Sequence, residues 1–218
     1  MSARTRNNLR NTCITFFHWA RKQGYLPDRK TAADETDLAK ESLREIAVLT
    51  PEQLESLLTS TLEKENWTAL AFLVFGAFTG IRTAELERLE WENIYLKENH
   101  FEVAAHQAKT ASRRLIPMSP NFKKWIRKIK KRTGKVLKGR ARFHLKPIAK
   151  EILGDWPTNC LRHSFISYRL AEIKNVAQVA LEAGNSPNKI FTNYRQIRLP
   201  DGRLLTGKLA KKWFQITP

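Results

Sequence analysis

The sequence predicts a mostly α protein with a small antiparallel β-sheet. Apolar residues recur at helical spacing over most of the chain, three short β-prone runs fall close together between residues 94 and 117, and neither an internal repeat nor a low-complexity tract interrupts the pattern. At 218 residues and 25.3 kDa the chain is long enough to bury a full core, which suits one main domain with a smaller attachment.

Taken in order, residues 4–23 place Leu9, Cys13, Phe16, Phe17 and Ala20 on one helical face, an apolar stripe expected to dock on something. Residues 25–47, with Pro27 and scattered charges, read as a linker. Thr50-Pro51-Glu52-Gln53 is a capping box with proline at the first helical position, opening a helix through Leu57. Asn66 to Phe78 is apolar nearly all round and is expected to be the central helix. Gly80 ends it, and another helix should start at once, carrying Leu86 and Leu89 toward the core. The β-prone runs are Ile94-Tyr95-Leu96, Phe101-Glu102-Val103 and Leu115-Ile116-Pro117, the first two joined by a turn over Lys97 to His100. Ser119-Pro120 then caps a helix with Phe122, Trp125, Ile126 and Ile129 on one face and lysines and arginines on the rest. Further helices are expected at about 144–153, 159–173, 175–183 and 187–195, and a last one from Gly207 to Phe214 using Leu209, Trp213 and Phe214.

The charge is strongly uneven. Of a formal net +18, +16 lies between Val103 and Lys150, which holds 16 Lys and Arg and no Asp or Glu. A surplus so concentrated repels itself unless an anionic polymer neutralises it, and nucleic acid fits better than a membrane surface because the stretch has no lipid-anchor signal. Cys13 and Cys160 have no partnered spacing, which suits a reducing compartment. With no apolar run of membrane-spanning length and no signal-peptide core, the expected location is the cytoplasm, with no membrane partner. Walker, Gly-x-Ser-x-Gly and dinucleotide patterns are missing, as is metal-ligand spacing among His18, His100, His106 and His144, so no cofactor and no metal are expected.

Four residues are placed to act on a phosphate. Arg82 sits at a helix-to-helix junction with Glu85 three residues on to orient its guanidinium; an ordinary surface ion pair is the plainer reading. Lys109 lies between two predicted strands, where a turn would carry it outward, as it would any solvated loop lysine. Arg162 heads a predicted helix whose backbone N–H groups also favour an anion. Tyr194 follows on an apolar helix, where most tyrosines simply pack.

The strings around these residues are more specific. Thr-Gly-x-Arg-x-x-Glu-Leu-x-x-Leu-x-Trp-x-x-Ile, from Thr79 to Ile94, resembles the first signature box of the tyrosine recombinases, the phage-integrase family. Leu161-Arg162-His163-Ser164-Phe165 resembles the second box, and Tyr194 stands nine residues after Asn185 of Ala-Gly-Asn-Ser-Pro, as the family's nucleophile does after its Gly-His-Ser motif. The resemblance implies a DNA strand-cleaving and rejoining enzyme, with Arg82 and Arg162 clamping the phosphate, Lys109 protonating the leaving 5′ oxygen and Tyr194 forming a 3′-phosphotyrosyl link. Two positions depart from the pattern. Asn159 stands where the family usually has histidine three residues before the second arginine, and Asn185 stands where it has histidine or tryptophan. Asparagine donates hydrogen bonds but takes up no proton at neutral pH, so deprotonation of Tyr194 loses its usual helper. His163, one residue past Arg162 and so rotated about 100° around the helix, reads as structural.

The resemblance also implies domains: 1–24 as the last helix of a truncated N-terminal DNA-binding domain, 25–47 as linker, 48–198 as catalytic domain and 199–218 as a tail with a helix. Double-stranded DNA is the expected partner, met by Lys109, Arg113, Arg114, Lys123, Lys124, Arg127 and Lys128. Self-association on DNA is expected too, with Trp213 and Phe214 as candidates for docking on a neighbour or packing in cis. The alternative is a catalytically impaired relic that serves as a DNA-binding module.

Overall fold

The computed structural model describes residues 1–40, 46–105, 113–130, 132–194 and 197–218. These form two compact units, Met1–Glu45 and Ile46–Pro218. Lys109, at the expected turn between strands, lies outside the described residues.

The first unit is helix α1, Ala3–Lys22, capped by the Ser2 hydroxyl on the Thr5 N–H. The expected linker does not simply lead away from it. Asn7 donates to the Ala39 carbonyl and accepts from its N–H, at 2.9 and 2.8 Å, Arg10 donates to the Thr36 carbonyl, and Arg21 reaches both the Arg29 carbonyl and Asp34. Residues up to Ala39 are thus laced back onto α1 by polar contacts. Its Leu9, Phe16 and Trp19 are exposed.

The second unit is built round α3, Trp67–Thr79, in which every residue from Ala69 to Thr79 is buried. A helix apolar all round needs neighbours on all sides, and it has them: α2 (Pro51–Glu63), α5 (Pro120–Lys128), α6 (Ala141–Leu153) and α7 (Cys160–Ile173) pack around it. Helix α2 opens on the expected Thr50–Gln53 capping box, both halves formed, and runs a turn and a half past Leu57 because Leu58 and Thr61 extend its buried face. Helix α4, Thr83–Leu86, is shorter than expected: Leu89 is buried but follows in a turn bonded back to Leu86.

Strands β1 (Ile94–Tyr95), β2 (His100–Val103) and β3 (Arg114–Pro117) form an antiparallel sheet in that order, with Phe101 opposite both Ile94 and Ile116. Phe101, Val103 and Ile116 turn inward at period two, and Phe101 and Phe75 meet Phe122 of α5. A smaller second core joins α7 to α8 (Val176–Ala183) and α9 (Pro187–Tyr194) through Phe165, Ile166, Val179, Ala183, Ile190 and Tyr194.

Helix α10, Gly207–Gln215, packs in cis on α7. The Trp213 ring stacks on Tyr168 at 4.3 Å between centroids and its indole N–H donates to the Ala77 carbonyl, while Trp125 donates to the Ile216 carbonyl. Of the two roles open to Trp213, packing within its own chain is the one observed. Among the described residues no helix is long and apolar enough to cross a membrane, and no group of three or more His, Cys, Asp and Glu is placed to hold a metal ion.

Candidate active site

Gly80 is where the two sequence boxes meet. It closes α3 in a left-handed conformation, φ +62°, and a Cβ there would lie 2.3 Å from the Phe165 ring of α7. Only glycine accepts both the backbone angle and the contact. One turn before Phe165, Arg162 donates from Nη1 to the Gly80 carbonyl at 2.5 Å and to the Ala183 carbonyl at 2.7 Å. Arg82, at the N-cap of α4, donates from Nη2 to the Gly184 carbonyl. Gly80 and Gly184 are the C-caps of α3 and α8, so the two guanidiniums are held by carbonyls that helix ends leave without intrahelical partners and that carry the negative end of each helix dipole.

Glu85 organises the rest. Its carboxylate accepts from the Arg82 N–H and from Arg82 Nη1 at 2.8 Å, and takes a two-pronged contact from Arg114 at 3.1 and 2.6 Å. Burial alone would raise its pKa; the hydrogen bonds and charge of Arg114, with those of Arg82, outweigh burial and bring it to about 2. Glu85 is therefore a fixed negative charge among three arginines. Arg114 was expected on the outer DNA face, and the structure turns it inward. It leads β3 two residues before Ile116 and shares that strand's buried side, so alternation delivers it to Glu85 and against Gly184.

Arg82, Asn159, Arg162 and His163 line one cleft of about 410 Å3, with Arg142 of α6 and Thr83 on its rim and Phe72, Leu161 and Trp156 in its wall. Burial first, and then the charge of Arg82, depress Arg162 to about 10, which leaves it a cation at neutral pH. Asn159 precedes α7 in the left-handed region, φ +58°, which asparagine tolerates better than most residues. Asn185 turns its side-chain oxygen to the Ser186 N–H, at the start of α9.

Tyr194 is buried on the inner side of α9, and its hydroxyl lies 2.6 Å from Nδ1 of His163. Burial raises the phenol pKa, with Arg162 pulling the other way, whereas burial and then Arg162 lower that of His163. Both groups are neutral near pH 7. The rotation that takes His163 off the Arg162 face turns it toward α9, and the phenol is what it meets. No sequence spacing signals a contact between residues 31 apart on separate helices.

Of the expected DNA-facing cations, Lys124, Arg127 and Lys128 are exposed on α5, Lys123 bonds the Asn99 side chain, and Arg113 is exposed but paired with Glu102 at 2.6 Å. In this cleft and its surroundings, then, the fold gathers Arg82, Arg162, Asn159 and, through His163, Tyr194, with Asn185 next in the chain to the carbonyl that holds Arg82.

Comparison with known proteins gives the chain's family and fold. The sequence model of the phage integrase family matches residues 47–172, more than half of the chain and inclusive of both arginine boxes. A search of curated proteins found no match. Among solved structures, the Tn1549 transposon integrase in complex with a circular intermediate DNA is similar over 93% of this chain and 78% of its own, at 18% identity and a TM-score of 0.69. A lambda integrase dimer bound to a core site is similar over 88% and 73%, at 18% identity and a TM-score of 0.65. XerA recombinase is similar at 16% identity and a TM-score of 0.55, over 68% of this chain, which spans only 61% of XerA's length. At such identities the solved structures establish the fold, mostly α with a small antiparallel sheet, and the sequence model establishes kinship: this chain belongs to the phage integrase family.

Proposed function

We propose that the chain is the catalytic part of a site-specific DNA recombinase of the tyrosine type, one that cleaves and rejoins strands of double-stranded DNA through a 3′-phosphotyrosyl intermediate at Tyr194. What carries the reading is the convergence of two guanidiniums, from separate sequence boxes, on one cleft whose wall is a single hydrogen bond from a buried phenol.

A phosphodiester resists attack because its negative oxygens repel a nucleophile. Arg82 and Arg162, each held by helix-end carbonyls on one side, have further N–H groups for the non-bridging oxygens and stabilise the charge that builds in the transition state. Arg114 serves them indirectly, by holding Glu85 in place. The Tyr194 oxygen bonds to phosphorus as the bond to the 5′ oxygen breaks, and the link keeps the bond available for a second strand's 5′ hydroxyl. The proton for the leaving oxygen is assigned to Lys109 on its sequence position alone. Asn159 and Asn185 serve as hydrogen-bond donors to the phosphate.

Lys124, Arg127 and Lys128 track the DNA backbone, and the unit Met1–Glu45 contributes part of an N-terminal DNA grip. Joining two sites requires copies to meet on DNA, and with Trp213 engaged in cis they do so through other surfaces. A nicked suicide substrate, from which the short 5′ fragment diffuses away, tests the reading: the wild-type chain forms a covalent protein–DNA adduct, and Arg82→Ala and Arg162→Ala each remove it while duplex binding persists. Adduct formation that survives both substitutions would sink the proposal.

A further inference from the structure

We propose that His163 is a catalytic residue, taking the Tyr194 phenolic proton through Nδ1 as the phenol attacks and returning it when the phosphotyrosyl link is resolved. The assignment rests on the recombinase reading and adds to it the base that the two asparagines leave missing.

The geometry is direct. Nδ1 and the phenol oxygen lie 2.6 Å apart, the separation of a strong hydrogen bond, and the rings are 5.8 Å apart at 39°. The imidazole also lines the cleft beside Arg162 and Asn159, so a proton it accepts has a way out to solvent. Of the other residues assigned to the site, Arg162 is a cation at neutral pH and Asn159 and Asn185 have no proton-accepting capacity there. His163 alone among these can change its protonation state. Its lowered pKa keeps the imidazole neutral and able to accept, while the raised pKa of Tyr194 keeps the nucleophile protonated until something removes the proton. In the cleavage step the Tyr194 O–H bond breaks, its oxygen bonds to phosphorus, the phosphorus–5′-oxygen bond breaks and that oxygen gains a proton from Lys109 or water. His163 leaves the step as an imidazolium, whose charge Arg162 discourages, and so gives the proton up readily. In rejoining, the flow reverses.

Among the described residues, the charged and titratable groups facing His163 are Arg162 on α7, Tyr194 on α9, and Arg82 and Arg142 across the cleft. Arginine side chains as a class keep their proton far above neutrality, so an acidic limb below pH 6.5 in the single-turnover rate of adduct formation belongs to His163. His163→Gln should lower that rate by ~10²-fold, abolish the limb and leave duplex affinity within a factor of about 2; added imidazole should restore part of the rate to His163→Ala. On a substrate with sulfur in place of the leaving 5′ oxygen, which departs without a proton, the His163→Gln defect should persist. An unchanged rate and pH profile, or a defect erased by the sulfur substrate, would overturn the assignment. Nitrogen-15 NMR of the wild-type chain gives a reading that needs no variant: Nδ1 should be the bare nitrogen at pH 7, and a proton found there with Nε2 bare would equally overturn it. A wild-type chain that forms no adduct at all would instead defeat the recombinase reading.

Discussion

Replacing Glu85 by glutamine removes one negative charge from the middle of three arginines, and the cost can be worked from the site itself. The Glu85 side chain is 1% exposed, its partners Arg114 and Arg82 12% and 22%. A carboxyl brought to about 2 from an ordinary 4.5 corresponds, at ~1.36 kcal/mol per pH unit, to about 3 kcal/mol of stability. Loss of one partner from a buried ion pair independently suggests ~3–5 kcal/mol. Because the folded-state pKa lies below the unfolded one, this contribution is fully present above about pH 4.5 and is lost as pH falls toward 2. Urea unfolding of wild type and Glu85→Gln, followed by tryptophan fluorescence, should therefore show a gap of about 3 kcal/mol at pH 7 that narrows steadily between pH 5 and pH 2. Equal midpoints at pH 7, or a gap that does not shrink with acid, would refute the view of Glu85 as the charge that makes this cluster of arginines tolerable.

Gly80→Ala should destabilise the fold by ~2 kcal/mol or more, because strain at φ +62° adds to a clash with Phe165, whereas Gly24→Ala, at φ +77° with open space around it, should cost only ~1–2 kcal/mol; thermal melts followed by circular dichroism compare them. Trp213→Ala should cost ~3–5 kcal/mol through the lost stack on Tyr168 and the lost bond to Ala77, while Trp19→Ala, half exposed on α1, should cost ~0.5 kcal/mol or less in the same urea assay. Lys124→Ala and Arg127→Ala should each reduce the slope of log affinity against log salt by ~0.9, read by duplex titration at several salt concentrations; an unchanged slope would remove α5 from the DNA face.

Much of this was legible because local rules and tertiary need agree. The Thr50 capping box, the left-handed Gly80 and the inward alternation of Phe101 and Val103 are each demanded by a short stretch of sequence, and each is realised. The all-round apolar character of Ala69 to Phe78 likewise reveals a central helix without revealing its neighbours. Missed features depend on pairings distant in sequence. Arg114 looked like one more cation in a basic stretch, and only its place one alternation step from buried Ile116 could have turned it inward. The lacing of Asn7 to Ala39 joins a helix to an irregular strand of chain, which no periodicity encodes. Trp213 has the same apolar face whether it docks on its own chain or on another. The contact of His163 with Tyr194 depends likewise on where α9 lies, which the rotation from Arg162 around α7 does not reveal.

The most direct test is to find where DNA becomes attached. The adduct captured on a nicked suicide substrate, digested with protease and nuclease and mapped by mass spectrometry, should carry its nucleotide remnant on Tyr194 through a 3′ phosphate, and Tyr194→Phe should yield no adduct while binding the same duplex. Attachment at another residue, or an adduct that persists in Tyr194→Phe, would contradict the placement of the nucleophile on α9.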